Sequence, residues 1–185
     1  MPILPVNLKP HLTALGAAFL LSYMAHADPA PPELMERLRT ADAPEATQAA
    51  QEVERLWSRS GSPSIDLLLK RGREALEEGD FAAAIAHLTA LTDHAPDFAE
   101  GYHARAQAYY RADLYGPALD DLERTLALNP DHYNAIFGFA VLTQEFGNLG
   151  LAAQLYRKVL DLHPHHENAQ EALSSLARDG IGREL

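Results

Sequence analysis

Small and apolar residues recur along the middle of the chain at a fixed interval. Pro96, Pro130 and Pro164 are spaced by 34 residues. The residues in the same register are Gly72, Ala106 and Ala140, then Ala84, Ala118 and Ala152, then Leu88, Leu122 and Tyr156. Chance spacing of three prolines would not align so many positions, so the pattern predicts three tandem repeats, at residues 65–98, 99–132 and 133–166.

A period of 34 residues is typical of repeats that each fold as a pair of antiparallel helices. The small residues of the register allow the two helices to approach closely, and the large ones fill the space between neighbouring pairs. A single pair leaves an apolar face open. The pairs are therefore expected to stack in a line, with a cap at each end.

The middle unit, AEGYHARAQAYYRADLYGPALDDLERTLALNPDH, resembles the tetratricopeptide repeat. The matching residues are Tyr102, Ala106 and Tyr109 on the first helix, followed by Ala118, Leu122 and Pro130. The units depart from the family pattern at Ala75 and Thr143, where tyrosine is preferred, and at Thr125, where alanine is preferred. The resemblance covers residues 65–166 and implies an all-α fold, an α-solenoid of three helical hairpins.

The segments on either side of the repeats are predicted to cap them. Residues 28–64 contain two short apolar helical faces and a linker, and we interpret them as a degenerate capping hairpin in which Trp57 plugs the end of the superhelix. Residues 167–185 are predicted to form a capping helix and a tail. The apolar face of this helix contains Ala169, Ala172, Leu173 and Leu176.

The N-terminus has the pattern of a signal peptide. An apolar run from Leu12 to Met24 leads to Ala25-His26-Ala27, which predicts cleavage after Ala27 and export to a periplasm. An uncleaved membrane anchor is the alternative, although the run is short for a bilayer span. The layout is similar to exported tetratricopeptide proteins of alphaproteobacteria.

Composition narrows the possible partners. The chain has 26 acidic and 15 basic residues, a net charge of −11, which disfavours nucleic acid and anionic membrane surfaces as partners. It contains no cysteine, which excludes disulfides and thiolate metal sites. No catalytic motif occurs, so we expect neither enzymatic activity nor a cofactor. Nothing in the pattern specifies an oligomeric state.

The resemblance implies that the first helix of each repeat lines a concave groove that binds a protein or peptide. The corresponding residues are Leu69, Arg73, Leu76, His103, Gln107, Tyr110, Arg111, Phe137, Val141 and Gln144. Leu69, Phe137 and Val141 give this groove an apolar strip, and Arg73 and Arg111 are its only cations, which favours a peptide with apolar anchors and a carboxylate. The alternative is that these residues only shield the core from water.

Arg71 and Arg105 occupy a position where the family pattern prefers leucine. A guanidinium inside a helical hairpin requires a partner, because an unpaired buried charge is costly. Asp121 lies at the matching position of the second helix of its repeat. We therefore predict a structural Arg105–Asp121 pair that bridges the two helices.

A histidine cluster, His163, His165 and His166, occupies the turn after the third repeat. In this register, Asp97 with Glu100 predicts a capping box, Asp131 predicts a simple helix cap, and His165 replaces these aspartates. A metal site is one alternative, which would make the protein a metal carrier or sensor. An accessory subunit of a cell-envelope assembly complex is another. The scaffold remains the preferred function.

Overall fold

The computed structural model describes residues 30–178, and within this range all regular structure is helical. Its helices are α1 (Pro32–Thr40), α2 (Ala43–Trp57), α3 (Pro63–Glu78), α4 (Phe81–His94), α5 (Ala99–Arg111), α6 (Tyr115–Leu128), α7 (Tyr133–Glu145), α8 (Leu149–Leu162) and α9 (Glu167–Arg178). The predicted signal peptide, residues 1–27, lies outside the described residues. Within residues 30–178 no helix is both long and apolar enough to cross a membrane.

The three predicted repeats are the helical pairs α3–α4 (repeat 1), α5–α6 (repeat 2) and α7–α8 (repeat 3). Small residues lie where the paired helices meet, and Ala84, Ala118 and Ala152 are completely buried. At Gly72 the approach is closer still, since a Cβ atom there would lie 2.5 Å from Cγ of Leu88. The 34-residue register therefore corresponds to the helix contacts of the solenoid, as predicted.

The Arg105–Asp121 pair predicted inside repeat 2 is present. Arg105 donates through Nε and Nη2 to the two carboxylate oxygens of Asp121, each at 2.7 Å. Nη1 donates to the Thr92 hydroxyl at 2.7 Å, which connects the pair to repeat 1. The hydrogen bonds to Asp121 raise the pKa of Arg105 against the opposing effect of burial. Arg71, by contrast, is exposed, so the expectation that it also lies inside a hairpin is wrong.

The predicted aspartate caps are wrong by one position. Phe98 is the N-cap residue of α5 and makes no side-chain capping bond. His132 caps α7, where its Nδ1 accepts from the backbone N–H of Ala135, and His166 accepts in the same way from Ala169. A neutral imidazole nitrogen can therefore perform the role usually given to an aspartate or serine oxygen.

Helices α1 and α2 form the predicted hairpin, but its apolar face packs against repeat 3 and α9. Leu38, Val53 and Trp57 share one buried cluster with Tyr133, Ile136, Tyr156, Ala169 and Leu176. The core of repeat 1 belongs to a different cluster. Trp57 is therefore buried, but it packs on His132 and Tyr133 at the start of α7 and not on repeat 1. This N-terminal hairpin instead packs against the opposite end of the repeat array.

Candidate functional site

A cavity of about 570 Å³ lies mainly between α5 and α7, the first helices of repeats 2 and 3. The residues that line it are Leu76, His103, Ala106, Gln107, Tyr110, Arg111, Leu122, Asn134, Phe137, Gly138, Val141 and Leu142. Seven of the ten groove residues predicted from the sequence line this cavity. It could accommodate a large side chain of a bound segment together with its neighbours.

The cavity combines apolar walls with a polar rim. Val141 and Phe137 are only partly buried, so each presents apolar surface to an incoming group. Arg111 is exposed, and its guanidinium lies 5.5 Å from the centre of the Phe81 ring. The Tyr110 hydroxyl donates to Glu145 at 2.6 Å, and this hydrogen bond, followed by burial, raises the pKa of Tyr110 to about 12. The tyrosine is therefore a neutral hydrogen-bonding group at neutral pH.

Three of the predicted groove residues do not line this cavity. Leu69 is 2% exposed and belongs to the core of repeat 1. Gln144 accepts a hydrogen bond from the Tyr156 hydroxyl at 2.9 Å. Arg73 donates to Ser58 at 3.1 Å and forms an ion pair with Glu100. The second groove arginine is thus engaged in an internal contact.

Beside the cavity, a buried polar cluster joins α3 of repeat 1 and α5 of repeat 2 to His132, the N-cap residue of α7. Glu100 of α5 accepts from Arg73 of α3, from Nδ1 of His103 at 3.3 Å, and from Nε2 of His132 at 2.8 Å. Burial alone would raise the pKa of Glu100, but attraction and a hydrogen bond from His103 and a hydrogen bond from His132 hold it well below its usual range. The cluster therefore contains an ionised carboxylate with each oxygen hydrogen-bonded.

The hydrogen bonds of this cluster assign the protons of its histidines. Nδ1 of His132 accepts from the Ala135 amide, so Nε2 carries the proton that is donated to Glu100. Nε2 of His103 accepts from Gln107 at 3.3 Å, so Nδ1 is the donor to Glu100. His132 is therefore neutral in this arrangement. Burial, followed by repulsion from His103, lowers the pKa of His132.

Glu100, His103 and His132 are the one group of potential metal ligands that the described residues bring within 4.8 Å of one another. Their donor atoms are poorly prepared for a cation, however. The nitrogens that face Glu100 carry protons, and the guanidinium of Arg73 already pairs with the carboxylate. A metal ligand must instead present a free lone pair.

The histidine cluster of the sequence is not assembled into a metal site. Nε2 of His165 donates to the Ala41 carbonyl at 3.2 Å, and Nδ1 of His166 caps α9. Nδ1 of His163 is buried without a hydrogen-bond partner, and burial is the main cause that lowers the pKa of His163 to about 4. The three rings line a separate polar cavity of about 230 Å³ with Glu54, Tyr133, Asn134, Glu167 and Asn168. Their contacts join the N-terminal hairpin to repeat 3.

Sequence reasoning missed two central residues of the buried cluster. Glu100 lies in the first turn of α5, where an acidic residue is usually explained by capping or by the helix dipole. His132 lies at a turn, where histidine is usually solvated. The available signal was the repeat register. In the aligned repeats, Glu100 is equivalent to Asn134, and His132 is equivalent to Phe98, an apolar residue.

Comparison with known proteins agrees with the repeat register. A TPR repeat-containing protein of Rhizobium etli is 31% identical over 144 residues, which are 78% of this chain and 71% of that protein. This chain therefore belongs to the TPR repeat-containing proteins. Mouse sperm-associated antigen 1 is 32% identical over 109 residues, 59% of this chain, although these span only 12% of that protein. No protein-family model matches the chain.

Solved structures show the same fold. The first TPR domain of Spaghetti (RPAP3), bound to the HSP90 peptide SRMEEVD, superimposes with a TM-score of 0.61 and 24% identity, over 64% of this chain and 96% of that one. MamA superimposes with a TM-score of 0.58 and 20% identity, over 76% and 86% of the two chains. The second TPR domain of human RPAP3, in complex with an HSP70 peptide, is 26% identical with a TM-score of 0.54, over 58% and 90%.

Proposed function

We propose that this protein is a non-catalytic scaffold that binds a segment of a partner protein in the cavity between α5 and α7. The observation that carries the proposal is the cavity itself, a concavity of about 570 Å³ with apolar walls and a few polar groups at its rim. This combination is typical of sites that bury an apolar anchor and orient it through hydrogen bonds.

The cavity favours a particular kind of peptide. An aliphatic or aromatic side chain would lie against Phe137 and Val141, and a nearby carboxylate would reach Arg111 at the rim. The solved complexes of related fold contain peptides, and the one bound to Spaghetti has the acidic sequence SRMEEVD. We therefore infer a partner segment that carries a carboxylate beside an apolar anchor.

Arg73 has a different role in this proposal from the one its groove position suggests. Its guanidinium pairs with the buried Glu100, so removing it would leave a buried carboxylate without its cation. A loss of binding in an Arg73 variant would then mix structural damage with loss of a ligand contact. Arg111 is exposed and its guanidinium lies over the Phe81 ring, which makes it the better arginine to test.

The location of the function is also a proposal. The apolar run and the Ala25-His26-Ala27 site support export through a cleaved signal peptide, and the partner would then be a periplasmic or envelope protein. Protease protection in intact and osmotically shocked cells, together with the N-terminal sequence of the exported protein, would test this. A chain that stays protected after shock and begins at Met1 would contradict it.

The binding proposal can be tested by affinity capture from cell-envelope extract. Val141→Glu places a carboxylate on the apolar wall, whereas Gln154→Glu adds the same charge on an exposed position of α8. We expect capture by Val141→Glu to weaken at least about tenfold, equivalent to about 1.4 kcal/mol. Arg111→Gln should weaken it less, and Gln154→Glu should match the parent chain.

Circular dichroism must first show equal helix content for the variants, so that a loss of binding reflects the cavity. If Val141→Glu and Arg111→Gln both capture the same partners as Gln154→Glu, the cavity is not the binding site. The captured segment can then be shortened to a peptide and titrated, which separates direct binding from an indirect association.

A further inference from the structure

The N-terminal hairpin is attached to repeat 3 by contacts between residues distant in sequence. The Trp57 ring stacks on His132 with centroids 4.4 Å apart and planes inclined by 24°. Glu54 accepts from the Tyr133 hydroxyl at 3.0 Å and from the Asn134 amide at 2.8 Å. Asn134 also lines the groove cavity. The hairpin therefore lies directly beside the candidate binding site.

The stacking of Trp57 on His132 depends on the protonation state of the His132 ring. His132 is 1% exposed, and both of its ring nitrogens are engaged. Nε2–H donates to Glu100, and Nδ1 accepts from the backbone N–H of Ala135. A second proton would have to go onto Nδ1, opposite another N–H. Protonation thus replaces a helix cap by two opposed donors.

The charge of the protonated ring would also be badly placed. His132 lies at the N-terminus of α7, where the helix dipole disfavours a positive charge. The Trp57 ring covers the imidazole, and burial excludes the water that would hydrate an imidazolium. Turning the ring away from Ala135 would require it to leave the stacked position on Trp57.

The ionisable groups around His132 do not remove this conflict. Those that face it directly or through one neighbour are Glu100 and His103 of α5, Arg73 of α3, Glu54 of α2, and Tyr133 of α7. Glu100 is the nearest anion, but it already accepts from Arg73 and His103. Glu54 is exposed and reaches the region only through Tyr133 and Asn134.

We propose that the N-terminal hairpin is released from repeat 3 by acid, because a proton on His132 cannot be accommodated while Trp57 is stacked on it. The repeats themselves remain folded, and the face of α7 beside the groove cavity becomes accessible. This pH-dependent release does not depend on what the cavity binds. It would make the accessible length of the groove depend on pH.

The direction follows from proton linkage. In a released, hydrated hairpin the pKa of His132 returns toward the ordinary value of about 6.5, whereas burial lowers it in the docked state. The released form therefore binds more protons, and docking weakens as the pH falls below about 6.5. Above that pH His132 is neutral in both forms and docking is complete.

Trp57 provides a direct measurement, because it is the single tryptophan of the chain. With the full chain, acrylamide quenching of its fluorescence should increase about threefold between about pH 7.5 and pH 5, around the histidine pKa range. Hydrogen exchange, corrected for the intrinsic effect of pH, should accelerate in α1 and α2 and remain slow in α5 to α8.

Substitution of His132 tests the assignment. Asn is a good N-cap residue that does not titrate, so His132→Asn should retain the cap and lose the pH transition. His94→Asn, at an exposed histidine, should retain the transition. If His132→Asn is poorly folded, His132→Gln serves the same purpose.

Three results would overturn the proposal. They are unchanged exchange of α1 and α2 at pH 5, an increase that is equal in α1–α2 and in the repeats, and a transition that persists unchanged in a folded His132 variant.

Discussion

The carboxylate of Glu54 accepts hydrogen bonds from the hydroxyl of Tyr133, at 3.0 Å, and from the side chain of the adjacent Asn134, at 2.8 Å. Helix α2 is thereby joined to the first helix of repeat 3. In a linear array each repeat contacts only its neighbours. Here the N-terminal hairpin adds a long-range contact, so the stability of repeat 3 depends on residues near the start of the described chain.

Loss of the Glu54 carboxylate should loosen the hairpin. Glu54→Ala removes the carboxylate that accepts the hydrogen bonds from Tyr133 and Asn134. We expect this to lower the free energy of unfolding by about 1 kcal/mol. Acrylamide quenching of Trp57 should increase at neutral pH. The matched control is Glu52→Ala, since Glu52 pairs with Arg37 inside the hairpin. If both variants quench equally, Glu54 does not hold the hairpin on repeat 3.

Breaking the Arg105–Asp121 pair should be more costly. Asp121 is buried, so Asp121→Ala leaves a largely buried guanidinium without its carboxylate, and we expect a loss of about 2–4 kcal/mol by urea denaturation. The family pattern prefers leucine at position 105. Arg105→Leu combined with Asp121→Leu should therefore recover stability to within about 1 kcal/mol of the parent chain. A double variant as weak as Asp121→Ala would argue against the pair as the cause.

The repeat fold could be predicted because its contacts are local and periodic. Ala84, Ala118 and Ala152 mark equivalent helix contacts, so each repeat supports the interpretation of the next. The packing of the N-terminal hairpin could not be predicted in this way. Its apolar residues show that a face is buried, but nothing in a single copy of a segment indicates whether Trp57 packs on repeat 1 or on repeat 3.

Part of the candidate site could also be predicted, because some of its residues lie at periodic positions of the repeats. Residues such as Phe137 and Val141 follow from the register, and the structure brings them together in one cavity. Arg73 was placed on the correct helix, but its ion pair with Glu100 depends on the geometry between repeats 1 and 2. His132 was missed because capping by a histidine nitrogen depends on its tautomer, which the sequence does not indicate.

Gly72 should tolerate no side chain. Its Cβ would lie 2.5 Å from Cγ of Leu88, which is completely buried, so we expect Gly72→Ala to destabilise the chain by about 1–3 kcal/mol despite the higher helix propensity of alanine. Gly150→Ala, also within a helix, meets no atom within 4 Å and should be neutral or stabilising. Urea denaturation of both variants would check this. Equal stability of the two would contradict the close approach of α3 and α4.

The turn after repeat 3 should not accept the sequence of the turn before it. Changing His163→Asn and His165→Asp would reproduce the Asn129-Pro130-Asp131 turn, but the new carboxylate would face the Ala41 carbonyl to which His165 donates. We expect a loss of about 1–2 kcal/mol in thermal or urea unfolding. Added zinc should not change this difference. A gain in stability would instead show that the turn is independent of the hairpin.

Acid should destabilise the whole protein in a window set by His163 and His166, because the fold lowers the pKa of both. Burial lowers the pKa of His163 to about 4 and lowers that of His166, whereas both return to about 6.5 on unfolding. The unfolded chain then binds more protons, so the free energy of unfolding should fall as the pH decreases from about 6.5 toward 4, by at most about 1.4 kcal/mol per pH unit for each histidine.

Glu100 affects stability in a different pH range from the histidines, because it is a carboxylate whose pKa is lowered by folding. Its folded pKa is well below the usual value, so the stability it contributes is retained above about pH 4.3 and lost only below that. Urea denaturation at several pH values between 7.5 and 4.5 therefore reports the histidines. His163→Asn should reduce the slope in this window, whereas His94→Asn should not. A stability that stays constant or increases between pH 6.5 and pH 5 would contradict the neutral state of these rings in the folded chain.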